Sequence, residues 1–187
     1  EVSRATDTMR AAMQMHRATS GPKHPDTAKS MSVLGRWLGE AGQDREAAVL
    51  LRQALALLTE LHGPQNSDVA IAELGLAQTL TRTGALDEAF GFAQSAAGKT
   101  VAAFGAEHWI AALARNTQGS VLAAMGRYGE AEPLLKESYE ALRDNPSTRP
   151  VYLKRARESV VALYEAMGRK DVALAYREEG QRELPGS

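Results

Sequence analysis

A glycine stands at positions 42, 84, 126 and 168, a step of 42 residues each time without a gap. The segments around these glycines are EAGQDREA, RTGALDEA, AMGRYGEA and AMGRKDVA. Ala47, Ala89, Ala131 and Ala173 follow five residues later at the same step. A second landmark keeps the same phase, with Gly21, Gly63 and Gly105 in SGPKHPDTA, HGPQNSDVA and FGAEHWIAA. Two landmarks in one register mark a repeat architecture, in which each unit is one supersecondary element stacked on its neighbours.

Between the landmarks the apolar spacing is helical. Leu34, Leu38 and Ala41 precede one turn glycine, and Val160, Tyr164 and Met167 precede another. Ala47, Leu50, Leu51, Ala54, Leu55 and Leu58 then trace a single stripe, the mark of an amphipathic helix. Aromatic residues are only 5% of the chain, and β-branched runs are few, which favours helix over strand. Pro22, Pro25, Pro64 and Pro146 fall in the links, where proline can start or end a helix. Asp26 and Asp68 are the N-caps expected there. Each unit therefore reads as two antiparallel helices joined by a glycine turn, and stacking the pairs buries the apolar faces.

Extending the period backwards places a turn glycine one position before Glu1, so that Ala5, Met9 and Ala12 match Ala47, Leu51 and Ala54. The expected organisation is a single domain over 1–187. Residues 1–20 form the second helix of a truncated repeat, and 21–62, 63–104, 105–146 and 147–187 form successive helix pairs. Met9, Ala12 and Met13 lack a partner helix in this reading. Either the parent protein continues N-terminally, or this edge pairs with a second copy in a homodimer. At the other end Arg177 stands where Leu51 and Leu135 stand, among Glu178, Gln181, Arg182 and Glu183, so the last helix is expected to end the stack with a polar face.

The stretch GFAQSAAGKT ends in Gly98-Lys99-Thr100, which looks like the end of a phosphate loop. That loop needs a glycine five residues before Gly98, after a strand and before a helix, and Ala93 holds the place. The register also aligns the triplet with Ala56-Leu57-Leu58 and Glu140-Ala141-Leu142, inside a second helix whose N–H groups are already engaged. No nucleotide site is expected. His16, His24, His62 and His108 show no metal-ligand spacing, and there is no cysteine, which excludes thiol catalysis, disulfides and Cys-ligated zinc. His24 and His108 share one register position and are expected to serve a structural role near a helix start. Trp37 and Trp109 are expected as packing residues. The formal net charge of −1 supplies no basic field for nucleic acid, and no apolar run reaches membrane-spanning length. The expectations are a non-enzyme with no cofactor and no metal, cytoplasmic, binding neither nucleic acid nor membrane.

The small residues Gly35, Ala77 and Gly119 lie seven before the turn glycine, and Leu38, Leu80, Leu122 and Tyr164 lie four before it. Ala54 and Ala96 lie twelve after it, with Ser138 and Gly180 as variants. In these positions the chain resembles the tetratricopeptide repeat family, and its 42-residue step and links resemble the kinesin-light-chain type. Val161 departs from the pattern at the first position, and Met31, Glu73, Arg115 and Arg157 stand where the family often has Trp. The resemblance implies an all-α fold, a right-handed α-solenoid of antiparallel helix pairs whose first helices line a concave groove. It further implies a protein- or peptide-binding scaffold within a larger multidomain protein. The alternatives are a structural spacer or dimerisation segment, or a regulatory domain attached to a catalytic domain such as a kinase. Helical geometry puts the places 13, 10, 9, 6 and 2 before the turn glycine on one face. The candidate contacts for a peptide there are Lys29, Ser32, Arg36, Gln78, Arg82, Asn116, Ser120 and Arg155, with Asn116 foremost because the family often carries asparagine at that place for peptide contact.

Overall fold

The computed structural model describes residues 2–182. Among the described residues there are nine helices and no strand. They are α1 (Val2–Thr19), α2 (Pro25–Glu40), α3 (Asp44–His62), α4 (Ser67–Thr83), α5 (Leu86–Phe104), α6 (Trp109–Ala124), α7 (Tyr128–Asp144), α8 (Pro150–Ala166) and α9 (Lys170–Arg182). The chain forms two compact units, Glu1–Ala103 and Phe104–Ser187. In the first, α2 packs on α1, α3 and α4, and α3 packs on α4. In the second, α6 packs on α7 and α8, α7 on α8, and α8 on α9.

The glycine register has a direct structural cause. Gly42, Gly84, Gly126 and Gly168 have φ between 75° and 81°, a left-handed conformation in which a Cβ would collide with the chain. The chain then bonds back across the turn. The N–H groups of Gln43, Ala85, Arg127 and Arg169 donate to the carbonyls of Leu38, Leu80, Leu122 and Tyr164 at 2.8–3.0 Å. The large residue four before each glycine thus supplies both a core side chain and the carbonyl that closes the helix.

Helix starts are capped at one register position, though by different residues from those expected. His24, Asn66 and His108 are the N-caps, and their side chains accept from the N–H groups of Asp26, Asp68 and Ile110. Asp26 and Asp68 lie in the first turn instead, where a carboxylate complements the helix dipole. The exchange of His for Asn is chemically reasonable: Nδ1 of histidine and Oδ1 of asparagine both sit two bonds beyond Cβ and can both accept. The two linker histidines are therefore structural, as their shared position suggested.

Within α2/α3 the fully buried Leu51 packs against Gly35, and a Cβ added there would lie 2.7 Å from Leu51 Cγ. In α6/α7, Leu135 meets Gly119 in the same way, at 2.8 Å. Met9 and Met13 of α1 pack against the cluster of Leu34, Leu38 and Ala47. At the far end, Arg177 is exposed and bonds Glu165 at 2.6 Å. The side chains of Gln181 and Arg182, and Glu183 altogether, lie outside the described residues.

Candidate functional site

The first helices of the two units, α2 with α4 and α6 with α8, carry the eight residues named from the sequence, and the structure places them in three different situations. Among these eight, Lys29, Arg36 and Arg82 are the cations that lie in the first unit. Lys29 pairs with Asp68 at 3.0 Å. Arg82 pairs with Asp44 at 2.8 Å and donates to Thr79 Oγ1 at 3.3 Å. Arg36 lays its aliphatic stem over Gly75, where a Cβ would sit 2.6 Å from Arg36 Cγ. The guanidinium of Arg82 lies in turn over Gly39. Each arginine thus rests on a glycine of the opposite helix, so α2 and α4 approach closely and both cations stand on one face. Gln78 is half-buried on α4.

Ser32 and Asn116 share a register position, and both are buried, each at 4% exposure. Asn116 Nδ2 donates to Ser138 Oγ at 3.2 Å, and Ser159 Oγ donates to Asn116 Oδ1 at 3.2 Å. Its amide ties α6 to α7 and α8, so in this conformation it supports the face from below. The sequence carries a signal for this. Ser138 replaces the Ala54 and Ala96 of the other repeats, which puts a hydroxyl opposite the only asparagine at that place.

Ser120 and Arg155 lie where the face opens. Ser120 Oγ donates to Ser159 Oγ at 3.2 Å. Both residues line a groove of about 490 Å³ between α6 and α8, floored by Ala123, Ala124, Ala162 and Ala166, with Glu158 at its rim. Short side chains make the hollow, and hydroxyls with one cation and one anion border it.

The Gly-Lys-Thr triplet sits within α5. Lys99 Nζ lies 2.6 Å from Glu73 Oε1 of α4, with both side chains nearly buried at 11% and 8% exposure. Ser95 Oγ donates to the same carboxylate oxygen at 3.1 Å. Thr100 Oγ1 donates back to the carbonyls of Ala96 and Ala97. The lysine that suggested phosphate binding is half of an internal ion pair, which the sequence reading missed. Its signal is an acid eleven before and a base fifteen after the same glycine, which in the described repeats occurs only around Gly84.

Of the two tryptophans, Trp109 stacks on Tyr152 with centroids 5.1 Å apart, whereas Trp37 is 37% exposed. Among the described residues no cluster of three His, Cys, Asp or Glu could hold a metal ion. No described helix is long and apolar enough to cross a membrane.

Known proteins share this architecture. Two crystal structures titled as a Podosopora anserina putative kinesin light chain with nearly identical TPR-like repeats match the fold. One has 20% identity, a TM-score of 0.67, and covers 97% of this chain and 86% of that one. The other, a variant of the same protein, has 19% identity, a TM-score of 0.69, and covers 97% and 85%. BtubC (BKLC) from P. vanneervenii has 18% identity, a TM-score of 0.73, and covers 97% and 72%. No curated protein matches the chain. The family model described as Tetratricopeptide repeat matches residues 4–60 and 68–144. With the family match over most of its length, helix pairs closed by left-handed glycines at a fixed step, and this α-solenoid fold, the chain belongs to the tetratricopeptide repeat family, whose members generally serve as protein-interaction scaffolds.

Proposed function

We infer that the chain binds a protein or peptide segment along the face of its first helices, as a non-catalytic scaffold within a larger cytoplasmic protein. The observation that carries this reading is the alanine-floored groove between α6 and α8. Its volume of about 490 Å³ falls in the range of ligand clefts, and its floor is apolar while Ser120, Ser159, Arg155 and Glu158 border it. Such a combination suits an extended peptide with one small apolar side chain on the floor and polar groups along the rim. In the first unit Arg36, whose stem is supported by Gly75, is the cation best placed to meet an acidic side chain or a terminal carboxylate. Asn116 and Ser32 shape the face from beneath in this reading.

The test fills the groove without touching the core. Peptides are selected on the wild-type protein from a random display library, and affinity is measured by calorimetry for wild type and Ala162→Trp. Ala162 is exposed, so the helix accommodates the change. A loss of about 1.4 kcal/mol or more, tenfold in affinity, is expected. Undiminished binding by Ala162→Trp, with unchanged circular dichroism, would contradict the groove.

A further inference from the structure

The two serines that border the groove between α6 and α8 have their protons committed inward. Ser120 Oγ lies 2.9 Å from the Asn116 carbonyl and 3.2 Å from Ser159 Oγ. Ser159 Oγ lies 3.2 Å from Asn116 Oδ1 and 3.1 Å from the Arg155 carbonyl. Carbonyl and amide oxygens only accept, and a serine hydroxyl has one proton and two lone pairs. The proton of each serine is therefore taken by an acceptor within α6 and α8. Turning the Asn116 amide over does not change this. Nδ2 then donates to Ser159, Ser138 gives its proton to Oδ1 in place of the Leu135 carbonyl 3.0 Å away, and Ser159 keeps its bond to the Arg155 carbonyl. In both arrangements Ser120 Oγ retains an unused lone pair, because among its described partners only Ser159 is able to donate to it.

The rest of the lining leans the same way. The Glu158 carboxylate only accepts, and its contact with Lys154 is a long 3.9 Å between two exposed side chains. Arg155, the cation of the lining, already has an interaction of its own. The alanine floor offers no side-chain polar group. At the place of Ser120, six before the turn glycine, the other repeats carry Arg36, Gln78 and Ala162, so a hydroxyl stands there only in α6.

We propose that this groove reads its ligand through a backbone N–H: Ser120 Oγ accepts the amide proton of the residue whose small side chain rests on the alanine floor. The inference rests on the groove reading above and adds the chemistry of the ligand. That residue must keep its amide proton, so proline and N-methylated residues are refused there. A segment that turns a carbonyl toward Ser120 is also disfavoured, since the serine must give up an inward bond to meet it.

The experiment uses a peptide selected on the wild-type protein whose binding Ala162→Trp weakens. Each backbone amide is replaced in turn by an ester, which exchanges the N–H for an oxygen and keeps the shape. Affinities are measured by calorimetry for wild type and Ser120→Ala, with circular dichroism as the fold control. One ester beside the small residue is expected to lose about five- to tenfold on the wild type, the worth of one hydrogen bond. On Ser120→Ala the same ester should lose no more than about twofold, so that the cycle assigns the loss to this contact. N-methylation at that amide should weaken binding at least as much. The proposal is overturned if no ester shows a loss that depends on Ser120, or if Ser120→Ala binds the parent peptide as tightly as the wild type does. In those cases weakening by Ala162→Trp still upholds the groove. If Ala162→Trp weakens no selected peptide, the groove reading falls and this inference falls with it.

Discussion

In α6/α7 the side chain of Leu135 fills the space left by Gly119, and in α4/α5 the matching residues are Ala93 and Ala77, both fully buried. The two hairpins share turn geometry and step, yet they reach a closed interface by different means. α6/α7 uses a large residue against no side chain, with the neutral Asn116–Ser138 bond beside it. α4/α5 has small, fully buried residues at both places, and the Glu73–Lys99 pair joins the same two helices. At the Glu73 place α6 carries Arg115, whose Nη2 donates to the Ala106 carbonyl at 2.9 Å. The repeat fixes backbone and register, while volume and charge are balanced hairpin by hairpin. A substitution read from one repeat therefore cannot be carried to the next without its partner.

The largest effect should come from separating the charged pair. Lys99→Met leaves the Glu73 carboxylate nearly buried with only Ser95 on one oxygen, and a loss of about 3–5 kcal/mol is expected. Replacing both, with Glu73→Leu added to Lys99→Met, should be neutral or stabilising by about 1–4 kcal/mol, because neither charge is then desolvated. Urea unfolding of the wild type, Lys99→Met, Glu73→Leu and the double variant gives the cycle. No such pair exists at the matching places of α6/α7, Arg115 and Ala141, so Ala141→Lys there should show no comparable coupling.

Next in size is overpacking. Gly119→Ala brings a Cβ to 2.8 Å from Leu135 Cγ and 2.9 Å from Cδ2, so Leu135 must shift, at a cost of about 1–3 kcal/mol. The opposite change in the other hairpin, Ala77→Gly, removes one methyl and adds backbone freedom for a loss of about 1 kcal/mol. Thermal or denaturant midpoints of the two variants compare the sites directly.

The second unit also carries an alkaline dependence. Tyr164 is 2% exposed, its hydroxyl donates to Glu132 at 2.8 Å, and burial, together with that carboxylate, pushes its pKa up to about 12. The unfolded chain loses this proton nearer pH 10, so between about 10 and 12 the unfolded state holds fewer protons, and stability falls as pH rises. The contribution is fully present below pH 10 and amounts to at most about 2–3 kcal/mol. Tyr164→Phe should flatten that part of the stability–pH curve, leaving the share of Tyr176, whose pKa is also raised by burial.

Smallest is the surface. Arg52 donates to both Glu88 oxygens at 2.7 Å, but both side chains are nearly half exposed. Arg52→Ala should cost no more than about 1 kcal/mol and lose even that in high salt.

The helix pairs were legible because a left-handed glycine is hard to replace, so Gly42, Gly84, Gly126 and Gly168 report backbone geometry directly. The groove was less legible, since a place on a helix face does not say where the side chain turns. Asn116 shares its place with Ser32, yet its amide is drawn inward by hydroxyls at 138 and 159, residues that lie on other helices and meet it only after folding. Trp37 misled for a related reason. Thr79, at the same place, is covered by a preceding first helix, and pattern alone does not reveal whether that cover is present.

Interchangeable hairpins in one register are the central claim. The double variant Ala77→Gly with Ala93→Leu tests it most directly by placing the glycine–leucine contact of α6/α7 into α4/α5. Ala93→Leu alone is expected to lose about 1–3 kcal/mol by overpacking, and adding Ala77→Gly should restore most of it in urea unfolding, despite the cost of the glycine itself. If the two losses simply add, the matching positions do not face each other as the register requires, and the claim is contradicted.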